Sequence, residues 1–159
     1  MESKIKLIIP LLLIVIAVSL PITTISTKSL IKIQIQFETI EEAWGSENPS
    51  YEYLIIDNQG LWKITWDRIF SQNQPENPFI DFRINFVIAV FFGMKGTSGY
   101  IINITKVIEK LSYFYVFVEE ISPSPESLTL QVITYPCHII IIPRLFKDII
   151  FVKSRIIKV

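Results

Sequence analysis

Ile31, Ile33, Ile35 and Phe37 alternate with Lys32, Gln34 and Gln36. Successive side chains on a strand point to opposite faces, so this period of two predicts a strand with one wet face. Glu38 to Ser50 is polar and ends in Asn-Pro-Ser, which reads as a loop. Tyr51 to Ile56 predicts a second strand, stopped by Asp57-Asn58-Gln59-Gly60. The period then changes. Leu61, Trp62, Thr65, Trp66, Ile69 and Phe70 recur at helical spacing, with Lys63, Asp67 and Arg68 between them. Gln72 to Pro78 breaks the chain with Pro75 and Pro78.

Beyond this break the period of two returns. Phe82, Ile84, Phe86, Ile88, Val90 and Phe92 share one face, and on the other Arg83 and Asn85 give way to Val87, Ala89 and Phe91. A strand apolar on both faces belongs in the middle of a covered sheet. Gly93 to Gly99 reads as a glycine-rich hairpin turn. The returning strand, Tyr100 to Ile108, places Tyr100, Ile102, Ile104 and Ile108 inward and Asn103 and Thr105 outward. Glu109 to Ser112 is a tight connection to a strand at Tyr113 to Val118, and Ser122-Pro123-Ser124-Pro125 is a loop. Leu128 to Tyr135 and His138 to Ile142 read as strands interrupted by Pro136, a bulge or a change of sheet. Ile149 to Val152 and Ile156 to Val159 read as a final hairpin. Many short strands with one helix predict a mainly β (α+β) fold, an antiparallel β sandwich or half-barrel with one packed helix.

The first 26 residues stand apart. After Lys4 and Lys6, Leu7 to Ile25 runs for 19 residues without a charge. That pattern fits a signal peptide, and its length also fits a membrane-anchoring helix. Residues 1–26 are therefore expected to be a signal peptide or N-terminal membrane anchor, and residues 27–159 a single extracytoplasmic domain, secreted or anchored to the cell membrane. The mean hydropathy of +0.45 agrees with such a segment. Formal net charge is zero, so no basic excess points to nucleic acid. The single cysteine excludes an internal disulfide. The roughly 130 residues left are enough to bury about two-thirds of the unfolded surface.

Candidate chemistry is sparse. Cys137 and His138 are neighbours on an expected strand and face opposite ways, which argues against a Cys–His nucleophile pair. One His and one Cys do not make up a typical zinc site. Glu41-Glu42 and Glu119-Glu120 are adjacent carboxylates, expected on the surface. Gly93, Gly96 and Gly99 resemble a phosphate loop only in glycine count, because no helix follows to hold an anion. Trp62 and Trp66 are expected to pack in the core. Asn103-Ile104-Thr105 is a glycosylation sequon, with Asn103 the acceptor. No catalytic residue, metal ligand or cofactor is expected. A protein contact is expected at Gly93, Met94, Lys95, Gly96, Thr97, Gly99 and Tyr100, where an adaptable methionine, a charge and an aromatic rim sit on one turn.

The order of motifs resembles a known family. Asn77-Pro78-Phe79-Ile80-Asp81-Phe82 leads into an apolar strand, and Gly93 and Thr97-Ser98-Gly99-Tyr100 follow, then Ile102 and Ile104. Val118-Glu119-Glu120 precedes Pro123, and Thr134-Tyr135-Pro136 precedes Ile142-Pro143-Arg144. From Trp62 to Arg144 this resembles the C-terminal domain of the PrcB-type protease complex subunit family. Ser98 stands where the family usually has glycine, Cys137 stands where an aromatic is usual, and no lipid-anchor cysteine follows the apolar run. The resemblance implies an exported, non-catalytic accessory subunit whose partner is a surface protease, such as a subtilisin-like one. A protease inhibitor-like module, docking a loop into a protease cleft, is the alternative.

Overall fold

Two strands that are apolar on both faces set the architecture. β4 (Asn85–Phe92) and β7 (Cys137–Pro143) pair antiparallel at the centre of a sheet. β2 (Glu38–Ala43) flanks β7, and β3 (Tyr51–Ile56) flanks β4. A second sheet has the order β1 (Lys32–Ile35), β5 (Ile101–Lys110), β6 (Tyr113–Pro123), β8 (Asp148–Lys158). The computed structural model describes residues 32–43, 46–70, 75–144 and 147–158. The expected N-terminal targeting helix lies outside them.

The alternation within β4 assigns its faces. Phe86, Ile88, Val90 and Phe92 meet Ile102, Ile104, Val107, Phe114, Val116 and Val118 of the second sheet. Val87, Ala89 and Phe91 point the other way, against the helix α1 (Gln59–Ile69) through Trp62, Trp66 and Ile69. The result is a sandwich with a helix on its outer side, and both expected tryptophans lie in the core. Their rings are 5.1 Å apart, and their indole N–H groups donate to Pro78 O at 3.0 Å and Pro75 O at 3.1 Å. The helix begins where Asn58 Oδ1 accepts from Leu61 N at 2.9 Å, satisfying one orphan N–H of the first turn.

Several expectations need correction. The polar stretch after Phe37 contains a strand, β2, because β7 offers it an unpaired edge. Residues 82–84 form a turn, so Ile84 is exposed rather than inward. β4 and β5 do not form a hairpin: they lie in different sheets, and Gly93–Tyr100 is the crossover between them. Leu128 to Tyr135 forms no strand; Thr134 makes an isolated bridge with Lys95. The final hairpin is one strand, β8, and it runs parallel to β6. The chain leaves the second sheet after β6, reverses through β7 in the first, and re-enters in the original direction. Lys153, Ser154 and Arg155, read as a turn, sit mid-strand at an edge where polar side chains are tolerated.

Cys137 and His138 do face opposite ways: Cys137 packs in the helix-side cluster, and His138 is buried between the sheets. β5 carries a bulge between Ile104 and Lys106. Beside it, Ile104 N–H donates to His138 Nδ1 at 2.8 Å. An N–H can only donate, so Nδ1 is unprotonated and Nε2–H donates to Thr39 Oγ1 at 3.0 Å. One neutral imidazole thus ties β2, β5 and β7 together.

Burial holds the His138 imidazole below its usual 6.5, against the opposing pull of the Glu42 carboxylate. Unfolded chains therefore bind the extra proton more readily, so stability is complete above pH 6.5 and is lost as pH falls through the depressed native value. Chemical denaturation across this window should show the loss in wild type. His138→Gln should remove the slope; an unchanged slope would assign it to another group.

Candidate functional site

The corrected topology brings the Gly93–Tyr100 crossover to one end of the sandwich. Gly93 and Gly99 have φ of +72° and +91°, a region that favours glycine. At Gly93 a Cβ would lie 3.2 Å from both Pro49 O and Tyr51 N, so the bend also needs a close backbone approach. Residues 128–134 run alongside and pin the crossover. Lys95 N donates to Thr134 O at 2.8 Å, Thr134 N to Lys95 O at 2.9 Å, and Ser98 N to Leu130 O at 3.0 Å. Met94 remains exposed, as do Leu128, Leu130, Val132 and Ile133 on the pinning segment.

Lys95 does not project freely. Its Nζ sits 3.9 Å from the Phe92 ring centroid and 5.5 Å from that of Tyr100, a cation on two aromatic faces. Burial holds this ammonium below its usual value; Glu120 opposes that shift and Arg155 adds to it. Tyr100 is half-buried, its ring meeting Phe92 edge-on at 6.0 Å.

Glu120 is the residue that sequence reasoning missed. It pairs with Ile102 on one side and Arg155 on the other, which turns it to the inner face of its sheet. It is 2 % exposed, whereas a surface position was expected. Oε1 accepts from Tyr51 Oη at 2.5 Å and from Tyr53 Oη at 2.8 Å, and Oε2 accepts from Arg155 Nε at 3.3 Å. Lys153 Nζ lies 3.9 Å from Oε1 and donates to Tyr51 Oη at 2.9 Å. Burial alone would raise the carboxyl. The tyrosine bonds, the Lys153 charge and the Arg155 bond outweigh it and hold Glu120 ionised, below its usual value. Burial, with the bonds to Tyr51 and Glu120, pushes the Tyr53 phenol well above its usual range, so it stays a donor. A signal for this network was present in the alternation Tyr51/Tyr53 and Lys153/Arg155, two same-face pairs.

Between these groups lies a cleft of about 300 Å³ lined by Tyr51, Phe92, Lys95, Tyr100, Glu120, Ser122 and Arg155. A larger cavity of about 540 Å³ is lined in part by Arg144, Lys147 and Asp148, and both of its cations are engaged. There Arg144 donates to the Phe82 and Asp57 carbonyls, and Lys147 pairs with Glu109. Asn103, the sequon residue, is half-buried within β5 opposite Glu119. With its amide nitrogen turned toward β2 it reaches Glu42 Oε1 at 3.3 Å.

The motifs that carry the family resemblance fall along this same run of chain. Residues 86–143 match the PrcB C-terminal family. The resemblance read from the sequence therefore holds over β4 to β7, a shorter span than Trp62–Arg144. The PrcB match includes Phe92, Lys95, Tyr100, Glu120 and Ser122 of the cleft and leaves Tyr51 and Arg155 outside it. No curated protein and no solved structure matches the chain.

The carboxylate network has a direct test. Glu120→Gln removes the counter-charge of Lys153 and Arg155 while keeping the side-chain shape. We expect a loss of about 1–2 kcal/mol in unfolding free energy at neutral pH. The wild-type contribution should be complete above pH 4.5 and fade as pH falls through the lower native value, so the two proteins should converge in acid. Equal stability at neutral pH would mean that the carboxylate does not anchor this end.

Proposed function

We propose that the chain is a non-catalytic accessory subunit of a protease complex that works outside the cytoplasm, its residues 1–26 directing it to or through a membrane. The family match supports the association with a protease complex. The observation that carries the binding role is the apolar end of the sandwich. Met94 is 58 % exposed, Leu128 104 % and Leu130 72 %, and hydrogen bonds hold their two segments side by side. Monomeric proteins rarely expose large contiguous apolar patches, and those they do expose commonly mark a protein contact. The pinning bonds hold the patch in one shape before contact, which lowers the ordering cost of binding.

In this reading the partner, a surface protease such as a subtilisin-like one, covers the Met94–Leu130 patch. The chain contributes no reacting group.

Affinity-tagged full-length protein, gently extracted from the envelope fraction, should bring a protease with it. Met94→Ala combined with Leu130→Ser should reduce its recovery at least tenfold with an unchanged melting temperature. Undiminished recovery would place the contact elsewhere, and loss of the recovered protease's activity on adding the protein would identify an inhibitor instead. Protease added to intact cells should cleave the domain; cleavage only after lysis would place it inside.

A further inference from the structure

The cleft beside Lys95 has an uneven supply of hydrogen-bonding groups. Its one carboxylate, Glu120, is occupied by two tyrosine hydroxyls and Arg155. Its donors are not. Among the described residues Lys95 Nζ has aromatic rings beneath it but no hydrogen-bond acceptor. Arg155 uses Nε on Glu120, and among the described residues its two terminal nitrogens make no hydrogen bond. The hydroxyls of Tyr100 and Ser122, both on the lining, make none either among the described residues. Lys95, Lys153 and Arg155 against Glu120 leave a net charge of about +2 around the cleft, and partly enclosed walls concentrate such a field. A cation entering here meets excess positive charge and a carboxylate already occupied. An anion meets an ammonium, the free edge of a guanidinium and two hydroxyls.

We infer that this cleft receives an acidic side chain of the protein partner, its carboxylate held between Lys95 and Arg155. This deepens the accessory-subunit reading and rests on it. A planar carboxylate suits the paired terminal nitrogens of Arg155, which can donate two parallel bonds. Tyr51, Phe92 and Tyr100 supply faces for the aliphatic stem and for an apolar neighbour. The volume of about 300 Å³ is at the small end for ligand sites, room for a side chain and its flanks. The cleft adjoins the Met94–Leu130 patch through Lys95 and its bridge to Thr134, so one partner surface can cover the patch and place its acidic residue here. The apolar patch supplies area and the cleft supplies selectivity.

The probe is a fluorescein-labelled peptide alternating Asp and Phe, with an Asn/Phe counterpart, titrated against the full-length protein by fluorescence anisotropy. The acidic peptide should bind saturably and more weakly as salt rises, and the Asn peptide should bind at least tenfold less tightly. Lys95→Gln and Arg155→Gln should each weaken the acidic peptide about tenfold. Lys106→Gln, on the outside of β5, should not. Equal binding of the two peptides, or no effect of either substitution, overturns the inference. Inorganic phosphate displacing the peptide at equal concentration would assign the cleft to a small free anion and also overturn it. The two readings separate in the envelope extraction. If the Lys95→Gln/Arg155→Gln protein, folded as wild type by melting temperature, still recovers the protease fully, the cleft inference falls and the accessory role stands. If wild type recovers no protein, the accessory role falls, and the titration decides the cleft alone.

Discussion

Burial of one sheet on both faces governs this structure. β4 and β7 have no wet side, so each face must be covered by another layer. The second sheet covers one face through Phe86, Ile88, Val90 and Phe92, and α1 covers the other through Trp62, Trp66 and Ile69. The crossover after β4 follows from this. A chain that must supply strands to both sheets passes from one to the other at the ends of the sandwich, and the glycines at 93 and 99 permit the bends there.

The two polar residues buried between the sheets meet the same constraint in different ways. His138 is neutral and uses both ring nitrogens, one for a bulge N–H and one for a hydroxyl. Glu120 is charged and needs more: two phenols, a guanidinium and a nearby ammonium. An uncompensated buried charge is strongly destabilising, so the aromatic and basic residues at this end are fixed by the carboxylate they surround. The cleft is then the space left where that network reaches the surface, and its spare donors are the groups that Glu120 does not use.

Much of the core was legible because it rests on local periodicity. β3 and the helix were placed within a residue or two, and the double-sided apolar run before Phe92 identified a central strand. The misses arose where partners distant in sequence decide the outcome. The alternation in Phe86–Phe92 and in Ile101–Ile104 says that both segments are strands, and nothing local says that they join different sheets. The parallel pairing of β8 with β6 depends on the chain's excursion through β7, and Lys153-Ser154-Arg155 is strand because Glu120 faces it. Leu128 to Tyr135 has the composition of a strand but forms no ladder; its bonds to Lys95 and Ser98 make it a brace for the crossover. Glu120 itself was hidden because adjacent glutamates are ordinarily both solvated. Here the strand turns one out and the other inward, where it meets Tyr51 from a segment 69 positions away.

The proposed partner contact is concentrated at the crossover end. Hydrogen exchange of the full-length chain, alone and in complex with the protein it recovers from the envelope, tests this most directly. New protection is expected at residues 93–100, 128–134 and 153–156, with the α1 face unchanged. Protection confined to α1 or to the β1 and β2 edges, with the crossover exchanging as in the free protein, would contradict it.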